Sequence, residues 1–190
     1  MGQYRKTPIP ELVTARLVLR PYRIEDAPRV QALFPNPNVV RYLASVIPWP
    51  YPENGAAEYM ATLLPKIEAQ EEYHWAILLK GHEEEGLIGA IGLTPASDED
   101  NRGFWLAEPY WGQGYMREAT TAVNDFAFDV LGMEFLLLNN AQPNLGSHRL
   151  KESVGAEIIG IEDQDFVTGR FPSVKWKLTA DAWRRHRKND

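Results

Sequence analysis

The residues best suited to chemistry form one run, Phe104-Trp105-Leu106-Ala107-Glu108-Pro109-Tyr110-Trp111-Gly112-Gln113-Gly114-Tyr115-Met116-Arg117-Glu118-Ala119. A strand pattern ends, a turn with two glycines follows, and a helical pattern begins at once. The first turn of any helix leaves backbone N–H groups unpaired and carries partial positive charge. Glycines remove the side chains that would hold an anion away. Such a turn can cradle a phosphate or pyrophosphate, here on the backbone amides of about Gln113 to Met116. A tight strand-to-helix turn with no ligand is the plain alternative. A Walker loop is excluded, because no Gly-Lys-Ser/Thr is present, and a dinucleotide fingerprint fits poorly without a third glycine. The chain has no cysteine, which removes thiolate nucleophiles, disulfides and cysteine zinc sites together. Its four histidines show no metal spacing, so no metal is implied.

The elements that must position this turn follow from periodicity. Strands are expected at Leu17 to Arg20, Trp75 to Leu79, Leu87 to Leu93, Arg102 to Leu106, Glu134 to Leu138, Ile158 to Ile161 and Val174 to Leu178. Helices are expected at Glu25 to Phe34, Glu53 to Gln70 with Pro65 as a kink or break, Tyr115 to Leu131 ending at a C-cap Gly132, and Ser147 to Val154 with Ser147 as N-cap. The early strands are joined by short connections and suggest an antiparallel meander. The strand–helix–strand unit from 102 to 138 needs a crossover, which predicts a parallel pair there. Proline is dense from Pro35 to Pro52, among Val39, Val40, Tyr42, Leu43, Ile47, Trp49 and Tyr51. That stretch reads as a lobe packed on the domain over a site. The fold class is therefore α/β (α+β), a single domain over 1–190. The first 13 residues and 184–190 are expected to be peripheral tails.

The net charge of −6 disfavours a general nucleic-acid binder and favours cationic partners. The basic block Arg184-Arg185-His186-Arg187-Lys188 reads as a solvated terminus. No signal-peptide segment and no apolar run of membrane-spanning length is visible, so a cytoplasmic protein without membrane attachment is expected.

Four ordered stretches resemble the GNAT N-acetyltransferases, in the version written by the Rim-type enzymes that acetylate ribosomal-protein N-termini. Thr14-Ala15-Arg16-Leu17-Val18-Leu19-Arg20 followed by Asp26-Ala27 looks like their opening. Ile88-Gly89-Ala90-Ile91-Gly92-Leu93 looks like a core strand. Tyr110-Trp111-Gly112-Gln113-Gly114-Tyr115, with Glu118-Ala119, matches their coenzyme A turn. Asn144-Leu145-Gly146-Ser147, then Val154-Gly155-Ala156, looks like their late motif. Met116 departs from the small residue usual at the end of the turn.

The resemblance implies a central, mostly antiparallel twisted sheet of six to seven strands with helices on both faces. It implies acetyl-CoA as co-substrate, with Trp111, Gly112, Gln113, Gly114, Tyr115 and Met116 around its phosphates. Leu106 would end a bulged strand, with a free N–H to polarise the thioester carbonyl. Asn144 would bind the pantetheine arm and Ser147 would lie near the sulfur. Many members use a tyrosine acid seven residues after this asparagine; that position is Lys151, read with Arg117 and Arg149 as a surface charge or a phosphate contact. The chemistry would be direct attack of a neutral amine in a ternary complex, with Asp98, Glu99, Asp100 and Glu108 as candidate bases and Glu99 preferred. His74 is read as structural. The implied acceptor is a protein N-terminus. A small amine, or a non-catalytic acyl-CoA-binding module, is the alternative. Dimerisation is common in this family, so a homodimer is open.

Overall fold

The computed structural model describes residues 4–189. The most apolar segment, β3 (Tyr73–Leu79), is buried on both faces, and the sheet is built around it. Its ladder partners are β2 (Leu17–Pro21) and β4 (Gly89–Leu93), with β1 (Leu12–Val13) and β5 (Arg102–Leu106) outside them, all antiparallel. Alternate residues serve the two faces. Tyr73, Trp75 and Ile77 join one core, with Leu17, Leu19 and Ile91. Ala76 and Leu78 join the other, with Ala90.

Helix α1 (Ala27–Leu33), the short α2 (Pro37–Val40) and α3 (Gly55–Glu68) cover the second face through Val30, Val40, Met60 and Leu63. Pro65 lies inside the last turns of α3 without ending it. On the first face, α4 (Tyr115–Asp125) buries Ala119 and Val123, and a π turn (Phe126–Val130) continues that stripe with Phe126 and Ala127. Gly132, at φ +72°, closes it, as its position after the apolar run predicts.

The predicted parallel pairing beyond β5 is replaced by a fork. Strands β6 (Phe135–Ala141), β7 (Glu157–Phe166) and β8 (Gly169–Thr179) form a second antiparallel sheet in the order β6-β8-β7, so among the described residues eight strands make two sheets. The two sheets touch where Asn101 N–H donates to Leu137 C=O at 2.7 Å and Asn101 Oδ1 accepts from Leu137 N–H at 2.6 Å. The Asp100 carboxylate accepts the next amide, that of Asn139. Side chains thus take the donors that a backbone ladder would use, and the strands separate beyond this point. The α/β class stands; the single continuous sheet does not.

The expected tails are both anchored. Arg5 N–H donates to Leu131 C=O, Thr7 N–H to the Tyr73 hydroxyl, and Trp75 Nε1 to Pro10 C=O. Residues 184–189 lie on α6 (Ala180–Asn189), whose Trp183 is buried and donates to Asp125. The basic block therefore sits at a helix C-terminus, where positive charge complements the helix dipole, and Arg187 pairs with Asp125 at 3.3 Å. Residues 1–3 and 190 lie outside the described residues. Among the described residues, no helix is long and apolar enough to cross a membrane.

The Arg20 and Asp26 of the opening motif form a two-point ion pair, at 2.8 and 2.6 Å, and Asp26 also accepts from the Arg23 amide. Asp26 is 6% exposed. Removing one member of a buried pair strands the other charge. Asp26→Ala is expected to lose about 3 kcal/mol of stability, measured by urea denaturation; an unchanged midpoint would reduce the pair to a surface decoration.

Candidate functional site

The glycine turn is built as its composition requires. Gly112 and Gly114 have φ of +73° and +81°, a region that side-chain-bearing residues rarely enter. Gly114 is the N-cap of α4, and the first helical bond is Glu118 N–H to Gly114 C=O. The amides of Tyr115 and Met116 therefore precede the first intrahelical donor. Gly112, Gln113 and Gly114 are exposed. Nothing but Arg16 Nη2 lies within 4 Å of where a Gly114 Cβ would stand. An anion can approach this surface, so the residues present fit a pyrophosphate.

The turn is braced from three sides. Trp111, 44% exposed, donates its indole N–H to Leu106 C=O at 2.7 Å. Gln113 Nε2 donates to Pro109 C=O. Arg16 donates to Gln113 C=O at 2.9 Å, lies over the Tyr115 ring, and pairs with Glu118 at 2.7 Å. Glu118 also accepts from the Arg16 amide and the Thr14 hydroxyl. Burial raises the Glu118 pKa, but these hydrogen bonds outweigh it and hold the carboxyl below its ordinary value. The first and third resembling stretches are thus one structural unit, and the role of Arg16 was missed because its partners lie about a hundred residues away.

Beside the turn, β5 has one edge free. Ala107 N–H donates to Ile88 C=O, so Ala107 and Ile88 are the hydrogen-bonded pair, and the backbone groups of Leu106 and Phe104 turn away from β4 toward the fork. That Leu106 C=O accepts from Trp111 agrees with this. The ladder runs in register to Leu106. The expected bulge is absent, and the divergence of β5 from β6 performs its task of exposing the backbone. The Leu106 side chain is core.

The opposite wall is α5 (Leu145–Glu152). Asn144 is its N-cap, with Oδ1 accepting from the Ser147 amide at 3.2 Å. This corrects the assignment of Ser147 as the cap. The Asn144 amide nitrogen remains a donor, and Ser147 stands one turn inside, 9% exposed. Its hydroxyl accepts from Lys151 Nζ at 2.7 Å.

Lys151 is the residue the sequence reading placed least well. It is 2% exposed; burial, and next to it Arg102, drive its pKa down, while Asp100 opposes them. The signal was present, since Ser147, Lys151 and the buried Val154 share one helical face at i, i+4, i+7. Arg102 is 4% exposed and donates to Asn124 Oδ1. Burial drives the Asp100 carboxyl above its ordinary range, against the pull of Lys151, of the Arg102 and Asn139 amides and of the Arg102 charge. Arg117 and Arg149 are exposed on their helices.

These walls enclose a cavity of about 760 Å³, lined by Glu99, Asp100, Asn144, Ser147 and Lys151 at one end and by Tyr42, Tyr51 and Tyr59 at the other. The proline-rich lobe forms that second end. It is pinned to the β7–β8 hairpin by an Ala44–Phe166 bridge, by Val167 N–H to Leu43 C=O and by the Thr168 hydroxyl to Arg41 C=O. Three other candidates are used elsewhere or lie apart. Glu108 accepts from Asn36 and Asn38 and anchors α2. His74 lines the cavity but pairs with Glu72 at 3.0 Å. Asp98 is absent from this lining and faces a separate hollow beside Met133.

The chain is similar to known acetyltransferases. The uncharacterized N-acetyltransferase p20 of Bacillus licheniformis is 25% identical over 168 residues, 86% of this chain and 92% of that protein. The ribosomal-protein-S5-alanine acetyltransferase of Vibrio fischeri superposes with a TM-score of 0.76 at 14% identity, over 92% of this chain and 98% of its own. The spermidine N-acetyltransferase of Vibrio cholerae, in complex with CoA and spermine, superposes with a TM-score of 0.73 at 19% identity, over 90% and 99%. The acetyltransferase (GNAT) domain family matches residues 16–157, so this chain belongs to the GNAT acetyltransferases, and its activity is transfer of an acetyl group from acetyl-CoA.

Proposed function

We propose that the acceptor is an α-amine, presented as the N-terminus of a protein such as a ribosomal protein. The observation that carries this reading is the Asp100 carboxyl, held at the closed end of the fork and raised by burial. A base must take one proton from the incoming ammonium before its nitrogen can attack. An α-ammonium has a reference pKa near 7.7–8.0 and a lysine-type ammonium one near 10.4. A carboxylate raised toward neutrality suits the former far better. Glu58 and Glu99 add negative charge to the same cavity, and the aromatic residues of the lobe offer rings to a cation. Glu99 is exposed and suits steering the ammonium inward; Asp100 suits taking its proton. Leu106 N–H and Asn144 offer donors to the pantetheine arm, and Ser147 faces the sulfur. The similarity to the S5-alanine enzyme supports a peptide acceptor at the level of fold.

A second reading, a small amine bearing an α-amino group, is favoured by one observation. The lobe is hydrogen-bonded to the β7–β8 hairpin and walls the acceptor end. Acetyl-CoA turnover over peptides with free N-termini, blocked peptides with a free lysine, amino acids and spermidine decides the matter. Free-N-terminal peptides are expected to lead the lysine peptides and spermidine by about tenfold or more in kcat/KM. Preference for spermidine or for lysine side chains would overturn the α-amine assignment, and preference for free amino acids would select the second reading.

A further inference from the structure

Behind Ser147 lies a buried group of donors with too few acceptors. Arg102 Nε and Nη2 and Asn124 Nδ2 are buried without a hydrogen-bond partner. Lys151 uses one of its three N–H bonds, toward Ser147, and its Nζ lies 5.8 Å from the centre of the Phe104 ring. The charged groups acting on Lys151 are Arg102, which disfavours its proton, and Asp100, which favours it. Two basic side chains thus face one carboxyl in a largely buried wall of the cavity. Unpaired buried donors and surplus positive charge are unfavourable alone and favourable beside an anion.

The geometry says where that anion forms. The glycine turn lies past the C-terminal end of β5, and the free strand edge leads from Leu106 back to Arg102, about 13 Å at the usual strand rise. There the fork closes on Asp100 and Asn101. A coenzyme with its pyrophosphate on the turn and its arm along this edge brings its sulfur to the closed end, where Ser147 and Lys151 line the cavity. Because Lys151 donates to the Ser147 oxygen, the Ser147 hydroxyl proton is left to point elsewhere.

We propose that Lys151, acting through the Ser147 hydroxyl that it holds, sets a positive charge and a transferable proton against the departing coenzyme A sulfur. The amine lone pair forms the C–N bond, and the C–S bond breaks with its electron pair on sulfur. Ser147 gives its proton to that sulfur and takes one from Lys151. The acceptor nitrogen loses two protons between ammonium and amide. The thiol gains one, and the other reaches solvent once Lys151 is reprotonated. Lys151 is a positioning residue, since Ser147 alone meets the sulfur. The inference rests on acetyl-CoA lying along the fork and is independent of which amine is acetylated.

The test is the thiol pKa of bound coenzyme A, read by ultraviolet thiolate absorbance against the coenzyme-free protein. The chain has no cysteine, so the thiolate signal belongs to the coenzyme. Lys151→Gln keeps a donor for Ser147 without the charge, and Lys151→Met removes both. Coenzyme affinity, by calorimetry, is expected to stay within about threefold, while the bound thiol pKa rises by about one unit or more in both variants. An equal thiol pKa in the wild type and in whichever variant folds would overturn the proposal. A failed acceptor assignment would show in the amine panel and leave this titration unchanged.

Discussion

Acetyl-CoA binding is expected to be lost when Gly114 is replaced by tryptophan, while the fold survives. Gly114 sits at φ +81°, where any side-chain-bearing residue is disfavoured by about 1–2 kcal/mol. That is a tolerable loss for a domain of this size. The ring would occupy the surface where the amides at the start of α4 meet the phosphates, beside Arg16 Nη2 at 3.4 Å from the added Cβ. Hydrogen bonds to a charged group contribute about 1.5–3 kcal/mol each. Losing two weakens binding by about 100-fold or more. Isothermal titration with acetyl-CoA, beside ADP, measures this on both proteins. The wild type should favour acetyl-CoA, because ADP lacks the arm that uses the strand edge and Asn144. Unchanged affinity in the variant would mean that the phosphates lie elsewhere and that the glycine turn is only architecture.

Asp100→Asn should separate chemistry from binding. Asparagine keeps an oxygen for the Arg102 amide, which donates to Asp100 Oδ1 at 3.3 Å, so the fork should still close. It cannot take a proton. With Asp100 as base, kcat/KM falls by about 10²–10⁴-fold in the variant, and acetyl-CoA affinity is retained. The pH profile is the sharper reading. Wild-type activity rises as the carboxyl loses its proton, and because burial raises that pKa, the rise lies above the ordinary carboxylate range near 3.9. In the variant that limb should vanish. A reduced rate with the limb still in place would leave Asp100 as a structural member of the fork, with the proton removed by another group.

With Asp100 and Lys151 in the proposed roles, no tyrosine acid is needed at position 151. Burial shifts Asp100 up and Lys151 down, bringing acid and base toward the pH at which both can exchange protons. Environments that draw such pKa values together or apart are how one protein supplies both roles.

Local chemistry alone sufficed for some of this. The glycines at 112 and 114, the helix starting at Tyr115 and the strand Arg102–Leu106 were legible, because each depends on neighbours within a few residues. So was the apolar spacing of α4, and the proline-rich stretch as a lobe over a site. The ordered stretches from Thr14 to Ala156 carried the family and its co-substrate. What depended on distant partners was not legible. Asp100 read only as one of four candidate bases and Asn101 was not singled out, yet they end one sheet and begin a fork by taking the Leu137 and Asn139 amides. Ser147 read as a cap, because only the chain path through Ala141 and Asn144 decides which residue starts α5. Lys151 read as a solvated charge, because a sequence gives the face of a helix but not what that face meets. Only the tertiary structure brought Lys151, Arg102 and Asp100 from a helix, a strand and the turn before that strand into one wall of the cavity. Desolvation there, set by the packing of many residues far apart in the chain, decides what their charges can do.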